Sequence, residues 1–222
     1  MLRPSGYRGL IDEHPGYPEG SVPRIETCRE CGFDSSRWAL PDAVRTIERS
    51  ASLARLAVES LPEDLWRVRP DAGTWSIVEY LAHIGEVTTI HLAGATLTAE
   101  SPGTDLGSFP NPPMASEVPR LDAQAVLADL DREGVAYGAY LRSLDHAVWT
   151  ATMTIGGAAI SLEWLVRHTC HDLMHHLTDI ARIRNGEVCY WPNLGYGRFG
   201  AKVTMDHAPL FDNPDQFNHK RL

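Results

Sequence analysis

The sequence predicts an all-α chain: a four-helix bundle with a short β-hairpin before the last helix and irregular arms at both ends. Four stretches repeat apolar residues at helical spacing over several turns each. Pro- and Gly-rich breaks separate them, and the break between the second and third is twenty residues long with five prolines. Apolar residues make up 43% of the 222, with six Trp among them, enough to bury a substantial core.

Residues 1–38 are rich in Gly and Pro, lack a sustained period and read as an irregular N-terminal arm with a C-x-x-C. The bundle is expected over 39–185. Its first helix begins near Pro41, a residue suited to the first helical position, and runs to the break at Leu61-Pro62. Val44, Ile47, Leu53, Leu56 and Ala57 give it one apolar face. For the second helix, Pro70-Asp71-Ala72-Gly73 breaks the chain, Thr74 or Ser76 can cap, and Ser76 with Glu79 has capping-box spacing. That helix continues without proline to Glu100. The loop over 101–120 can cover about 60 Å, enough to return along the bundle and let the second and third helices run parallel. Asp122 caps the third helix. Alternation around Gly156-Gly157 predicts the hairpin. Ser161 then opens the fourth helix, and Asn185-Gly186 closes it. Residues 186–222 are an aromatic tail, with Trp191, Tyr196, Phe199, Phe211 and Phe217, expected to pack on the bundle.

The formal net charge is −9, and no basic stripe interrupts it. Nucleic acid and anionic membrane both need a basic footprint, so neither is expected as a partner. No run reaches the roughly 18 apolar residues that span a bilayer, and the N-terminus lacks the apolar core of a secretory signal. Four cysteines in a chain this long make no disulfide scaffold and suit a reducing cytoplasm.

Chemistry concentrates in the fourth helix, which carries His168, His171, His175 and His176 within nine residues. Positions i and i+4 lie one above the other on a helix, so His171 and His175 can direct two imidazoles at one ion. Two ligands are too few for a specific site, and the second helix offers His83 as a third. Three protein ligands with open positions left over is the pattern of a catalytic metal site.

The run Thr74-Trp75-Ser76-Ile77-Val78-Glu79-Tyr80-Leu81-Ala82-His83-Ile84 resembles the second-helix motif of the DinB-like metal-binding bundles. The run His171-Asp172-Leu173-Met174-His175-His176 resembles their fourth-helix motif. The resemblance covers residues 40–185 and implies His83, His171 and His175 as metal ligands. His175 is preferred to its neighbour His176 on the i+4 spacing. Bacillithiol and mycothiol S-transferases and thiol-dependent maleylpyruvate isomerases belong to this group, along with proteins of no assigned reaction. It therefore implies a divalent ion, zinc first with Ni, Fe or Co as alternatives, since imidazole accepts them all. The function expected is transfer of a low-molecular-weight, mycothiol-like thiol to an electrophilic small molecule, the metal activating the thiol. A thiol-assisted isomerase, another metal-catalysed step in secondary metabolism and a non-enzymatic metal-binding or stress-response bundle are the alternatives. A homodimer is consistent with small bundles of this type.

Glu79, Glu86 and Asp179 are the candidate catalytic residues. Glu79 lies one turn before His83 and can support it or close the capping box. Glu86 follows His83 by three residues and can accept a proton. Asp179 continues the stripe of His171 and His175. His91, about 12 Å further along the helix axis than His83, is not expected to be a ligand. Cys28-x-x-Cys31 followed by Gly32 resembles half of a zinc knuckle, a second, structural site that Cys170, Cys189, His14 or His207 could complete.

Overall fold

A computed structural model describes residues 25–59, 61–107 and 120–185, together with short strands at 189–190, 193–195, 198–199 and 203–204. Among the described residues, five α-helices carry the fold: α1 (Leu40–Glu48), α2 (Ser50–Val58), α3 (Ile77–Glu100), α4 (Ala123–Ser143) and α5 (Leu162–Asn185). The first two are the single first helix expected from the sequence, interrupted at Arg49, whose φ of −97° and ψ of 8° leave the helical region. The bundle thus has four rods, the first of them broken.

Each boundary follows from local chemistry. Pro41 occupies the first turn of α1. The backbone N–H of Ser76 donates to Glu79 Oε2 at 2.9 Å, closing the capping box that opens α3. Asp122 accepts from the N–H of Ala125 at 2.7 Å and caps α4. Strands β1 (Thr152–Ile155) and β2 (Ala158–Ser161) pair antiparallel with Ile155 opposite Ala158. Their two-residue turn needs positive φ at both positions, and Gly156 and Gly157 supply it at 57° and 83°. The start of the long crossover lies along β1, where the N–H of Leu106 donates to Thr154 O at 2.8 Å and Thr154 N–H to Thr104 O at 2.9 Å.

Two core clusters fix the directions of the rods. One gathers Ala54 and Val58, Val78 and Leu81, Leu127 and Leu130, and Leu173 and Ile180. The other gathers Val44 and Ile47, Ala95, Tyr137 and Leu141, and Leu162 and Leu165. The early residues of α3 and α4 therefore share one end of the bundle, so these helices run parallel, as the twenty-residue link allows. The α1–α2 rod and α5 run the opposite way.

The described part of the N-terminal arm is more ordered than its composition suggested. Thr27 bridges Asp34, the N–H of Cys28 donates to Phe33 O at 2.9 Å, and that of Gly32 donates to Cys28 O at 3.0 Å, with Gly32 at φ +74°. This small knuckle leads through Trp38 into α1. In the tail, β3 (Cys189–Tyr190) pairs with β6 (Val203–Thr204), and β4 (Asn193–Gly195) with β5 (Arg198–Phe199). Tail packing on the bundle, expected from the aromatics, lies outside the described residues.

Helix α4 approaches the first rod closely through Gly134, where a Cβ would stand 2.6 Å from both Ile47 O and Ser50 Oγ. Gly85 in α3 has nothing within 4 Å of that position. Gly134→Ala should therefore destabilise the bundle by about 1–2 kcal/mol, overpacking outweighing the gain in helix propensity. Gly85→Ala should stabilise it by about 0.5–1 kcal/mol. Urea unfolding of the two variants checks the opposite signs.

Candidate metal centre

The polar side chains converge on α5, where the N-terminal knuckle crosses it. Cys28, Cys31, His171 and His175 place one ligand atom each within 4.8 Å of one another. Cys28 Sγ lies 3.6 Å from His175 Nδ1. Phe33 stacks on the His171 ring with centroids 4.8 Å apart and planes 15° from parallel. Carboxylates stand behind both imidazoles: Glu26 Oε1 is 2.6 Å from His171 Nδ1, and Glu30 and Asp179 are 3.5 Å and 3.7 Å from His175 Nε2. The hydrogen bond from Cys31 holds the Cys28 thiol far below the usual range, with His171 and His175 adding to it against burial. Against burial, Cys28 and Glu26 push His171 up to about 10. Against burial again, Cys28 and Asp179 raise His175. This group of thiols and carboxylates calls for positive charge, met either by protons on the imidazoles or by a cation.

A second arm of the network runs inward. Glu26 Oε1 is also 2.9 Å from His168 Nδ1, and Asp172 Oδ2 is 3.5 Å from His168 Nε2. His91 of α3 meets this pair, and His91, His168 and Asp172 bring ligand atoms within 4.8 Å of one another. His91 Nδ1 is 3.0 Å from Thr169 Oγ1. Burial holds His91 down to about 4, whereas His168 is raised because the charges of Asp172 and Glu26 outweigh burial.

At the other level of the α3–α5 seam, His83 faces His176. Their ring centroids are 5.0 Å apart at 75°. Trp75 and Tyr80 wall the pair, at 5.0 Å from His83 and 5.4 Å from His176. His176 Nδ1 is 3.4 Å from Asp179 Oδ2. Glu86 Oε2 is 3.9 Å from His83 Nδ1 and 63% exposed. Burial first, then the charge of His176, lowers His83 to about 4 against the pull of Asp172, so its imidazole is neutral at pH 7.

The structure therefore divides the three histidines that the sequence grouped. His171 and His175 share a group with the cysteines; among the described residues, His83 joins no metal-sized group with them. Of the candidate catalytic residues, Asp179 lies between His175 and His176, Glu86 stands at the rim beside His83, and Glu79 turns to Ser76 and Arg69. Cys170 does not complete the knuckle; its thiol is buried and donates to Ala43 O at 3.1 Å. His14, His207 and the Cys189 side chain lie outside the described residues.

The family model described as DinB superfamily matches residues 46–180. The chain belongs to the DinB superfamily. No curated protein matches it. Among solved structures it is similar to YfiT from Bacillus subtilis, described as "a probable metal-dependent hydrolase with an unusual four-helix bundle topology". The likeness has a TM-score of 0.54 at 16% identity and covers 73% of this chain and 93% of that one, a shared fold. The knuckle at residues 26–35 precedes the stretch that the DinB model matches.

In this DinB bundle's polar seam, sequence alone assigned no role to Glu26 or Asp172, set His91 aside as a ligand and placed His176 second to His175. Two had a signal. His91 follows His83 by about two turns, and Asp172 precedes His176 by one, so each pair shares a face. Glu26 had none, because nothing in an irregular arm says which helix it will cross. Among the described residues, no helix is long and apolar enough to cross a membrane.

Proposed function

We propose that this protein is a metal-dependent enzyme that directs a low-molecular-weight, mycothiol-like thiol at an electrophilic small molecule. The observation that carries the reading is the facing pair His83 and His176, presented by two different helices of a DinB bundle. By residue type the donors suit a divalent ion. His83 is neutral at pH 7, the contact of His176 Nδ1 with Asp179 leaves Nε2 for a ligand bond, and Asp172, one turn before His176, acts electrostatically on both. His83, His176 and Asp172 would hold the ion, two imidazoles and a carboxylate, with coordination positions left for substrate. When bound, such an ion accepts a thiol and lowers its pKa.

The other residues supply binding and proton transfer. Glu86, at the rim 3.9 Å from His83, takes the thiol proton to solvent. Asp179 fixes the His176 tautomer. Trp75 and Tyr80 wall the seam and limit water around the sulfur. The thiolate sulfur then forms the new bond to carbon as the leaving group departs with its electron pair. A second reading is metal-assisted hydrolysis, with water in place of the thiol, favoured by the description of YfiT.

The test is metal content by elemental analysis beside conjugate formation from a cysteine-containing sugar thiol and a thiol-reactive electrophile. His83→Ala should lower turnover at least about 100-fold while the helical circular dichroism stays intact. Electrophile consumed equally fast without thiol would establish hydrolysis instead. Loss of metal together with loss of fold, and no turnover of either kind, would leave an ion that only staples the bundle.

A further inference from the structure

We propose that Cys28, Cys31, His171 and His175 form a closed, four-ligand zinc site that fastens the N-terminal knuckle to α5, distinct from the open site at His83 and His176. The composition is two thiolates and two imidazoles, at C-x2-C and H-x3-H spacing, a set typical of structural zinc. Tetrahedral zinc with ordinary Zn–S and Zn–N bonds sets its ligand atoms about 3.4–3.8 Å apart. Cys28 Sγ and His175 Nδ1 stand at 3.6 Å, and all four atoms fall within 4.8 Å.

The surroundings are those of a metal site as well. A ligating histidine characteristically gives its second nitrogen to a carboxylate. His171 Nδ1 meets Glu26 at 2.6 Å, while its Nε2 is buried and makes no hydrogen bond to nitrogen or oxygen. His175 turns Nδ1 to Cys28 and has Glu30 at 3.5 Å from Nε2. The backbone supports the cysteines independently: the turn from Cys28 to Cys31 is closed by the N–H of Gly32 on Cys28 O at 3.0 Å, with Gly32 at φ +74°. A Cβ at Gly32 would be strained by that φ, so glycine after the second cysteine is a requirement of the turn.

Among the described residues, the short knuckle has little core of its own. Phe33 is its buried apolar anchor, 5% exposed, resting on His171 and Trp38. An ion bridging knuckle and helix supplies the missing cohesion and holds Glu26 where it reaches His168. Thiolate ligands select zinc over harder ions, and the four-coordinate set leaves no position for substrate, so this ion is structural.

The full-length protein, purified under reducing conditions, should contain zinc at this site. Exchange with cobalt gives the readout, because thiolate-to-cobalt charge transfer absorbs in the near ultraviolet and imidazole or carboxylate ligation does not. The wild type should show this band with tetrahedral visible bands. Cys28→Ser and Cys31→Ser should each abolish or strongly weaken it with the helical signal intact, and His171→Asn should perturb it. His83→Ala should leave it unchanged, which separates this site from the proposed catalytic one. Should the cysteine variants fail to fold, chelation of the wild type replaces them: tryptic cleavage at Arg29, within the knuckle, should accelerate about tenfold or more once zinc is removed. A wild-type cobalt protein without the band, a band that survives both cysteine variants, or one lost in His83→Ala would overturn the proposal.

Discussion

Glu79→Ala should lower the stability of the protein by about 3–4 kcal/mol, roughly 10 °C in Tm, the largest effect of any single carboxylate in α3. The side chain closes the capping box, receiving the Ser76 hydroxyl at 2.6 Å and its N–H at 2.9 Å. It also pairs with Arg69, whose Nε donates to Oε2 at 2.9 Å. The two side chains are only 9% and 12% exposed, so alanine strips a largely buried guanidinium of its carboxylate. Against burial, Arg69 and Ser76 hold the Glu79 carboxyl below its ordinary range. Its contribution is therefore present above the unfolded-state pKa and fades as pH falls. Arg69→Met beside Glu79→Ala should recover only part of the loss, since it removes the stranded charge but restores neither the capping-box bonds nor the volume of Glu79. The same geometry separates scaffolding from chemistry. Glu79→Gln should reduce Tm yet leave turnover per folded molecule unchanged; a fall in turnover at constant Tm would place Glu79 in the reaction.

Glu26→Gln should cost about 3 kcal/mol and change the shape of the pH–stability curve. Glu26 is 12% exposed and serves two imidazoles, His168 at 2.9 Å and His171 at 2.6 Å. Burial would raise its pKa, but the charge of His168 and hydrogen bonds to His168 and His171 hold it far below the usual range. Its stabilising contribution is therefore full above the unfolded value near 4.5 and is lost as pH falls below it. His168 has the opposite sign: its pKa is raised from 6.5, so its contribution is full below 6.5 and is lost as pH rises through the folded value. Together they place the maximum contribution of the pair between about 4.5 and 6.5. Urea midpoints across that range should show the maximum in the wild type and a flatter profile in Glu26→Gln. An unchanged profile would mean that the pair contributes nothing to the folded state.

The helices were legible because each announces itself locally. Ser76 with Glu79, Asp122, and Gly156-Gly157 are signals complete within a few residues, and the observed starts of α3 and α4 and the hairpin turn fall on them. The twenty-residue, proline-rich link allowed parallel second and third helices, and the two core clusters bear that out. The interruption at Arg49 was not legible, since the sequence from Leu40 to Val58 keeps its apolar period through it. In the site, the residue types were visible and their partners were not. The i,i+4 rule grouped His171 with His175, and the structure keeps them together. Which third element would meet them depended on rotation about the helix axis. Adjacent residues on a helix point about 100° apart, so His175 reaches the knuckle while His176 faces His83.

By itself, then, the sequence determined the all-helical bundle, its caps and turns, and the concentration of imidazoles on α5, because propensity, capping and periodicity act over one or two turns. Only the tertiary structure decided that Cys28 and Cys31 meet His171 and His175, that Glu26 enters the seam, and that His83 belongs with His176. Those contacts join residues up to 147 positions apart. They are fixed by how the arm and two helices pack, which no local signal encodes.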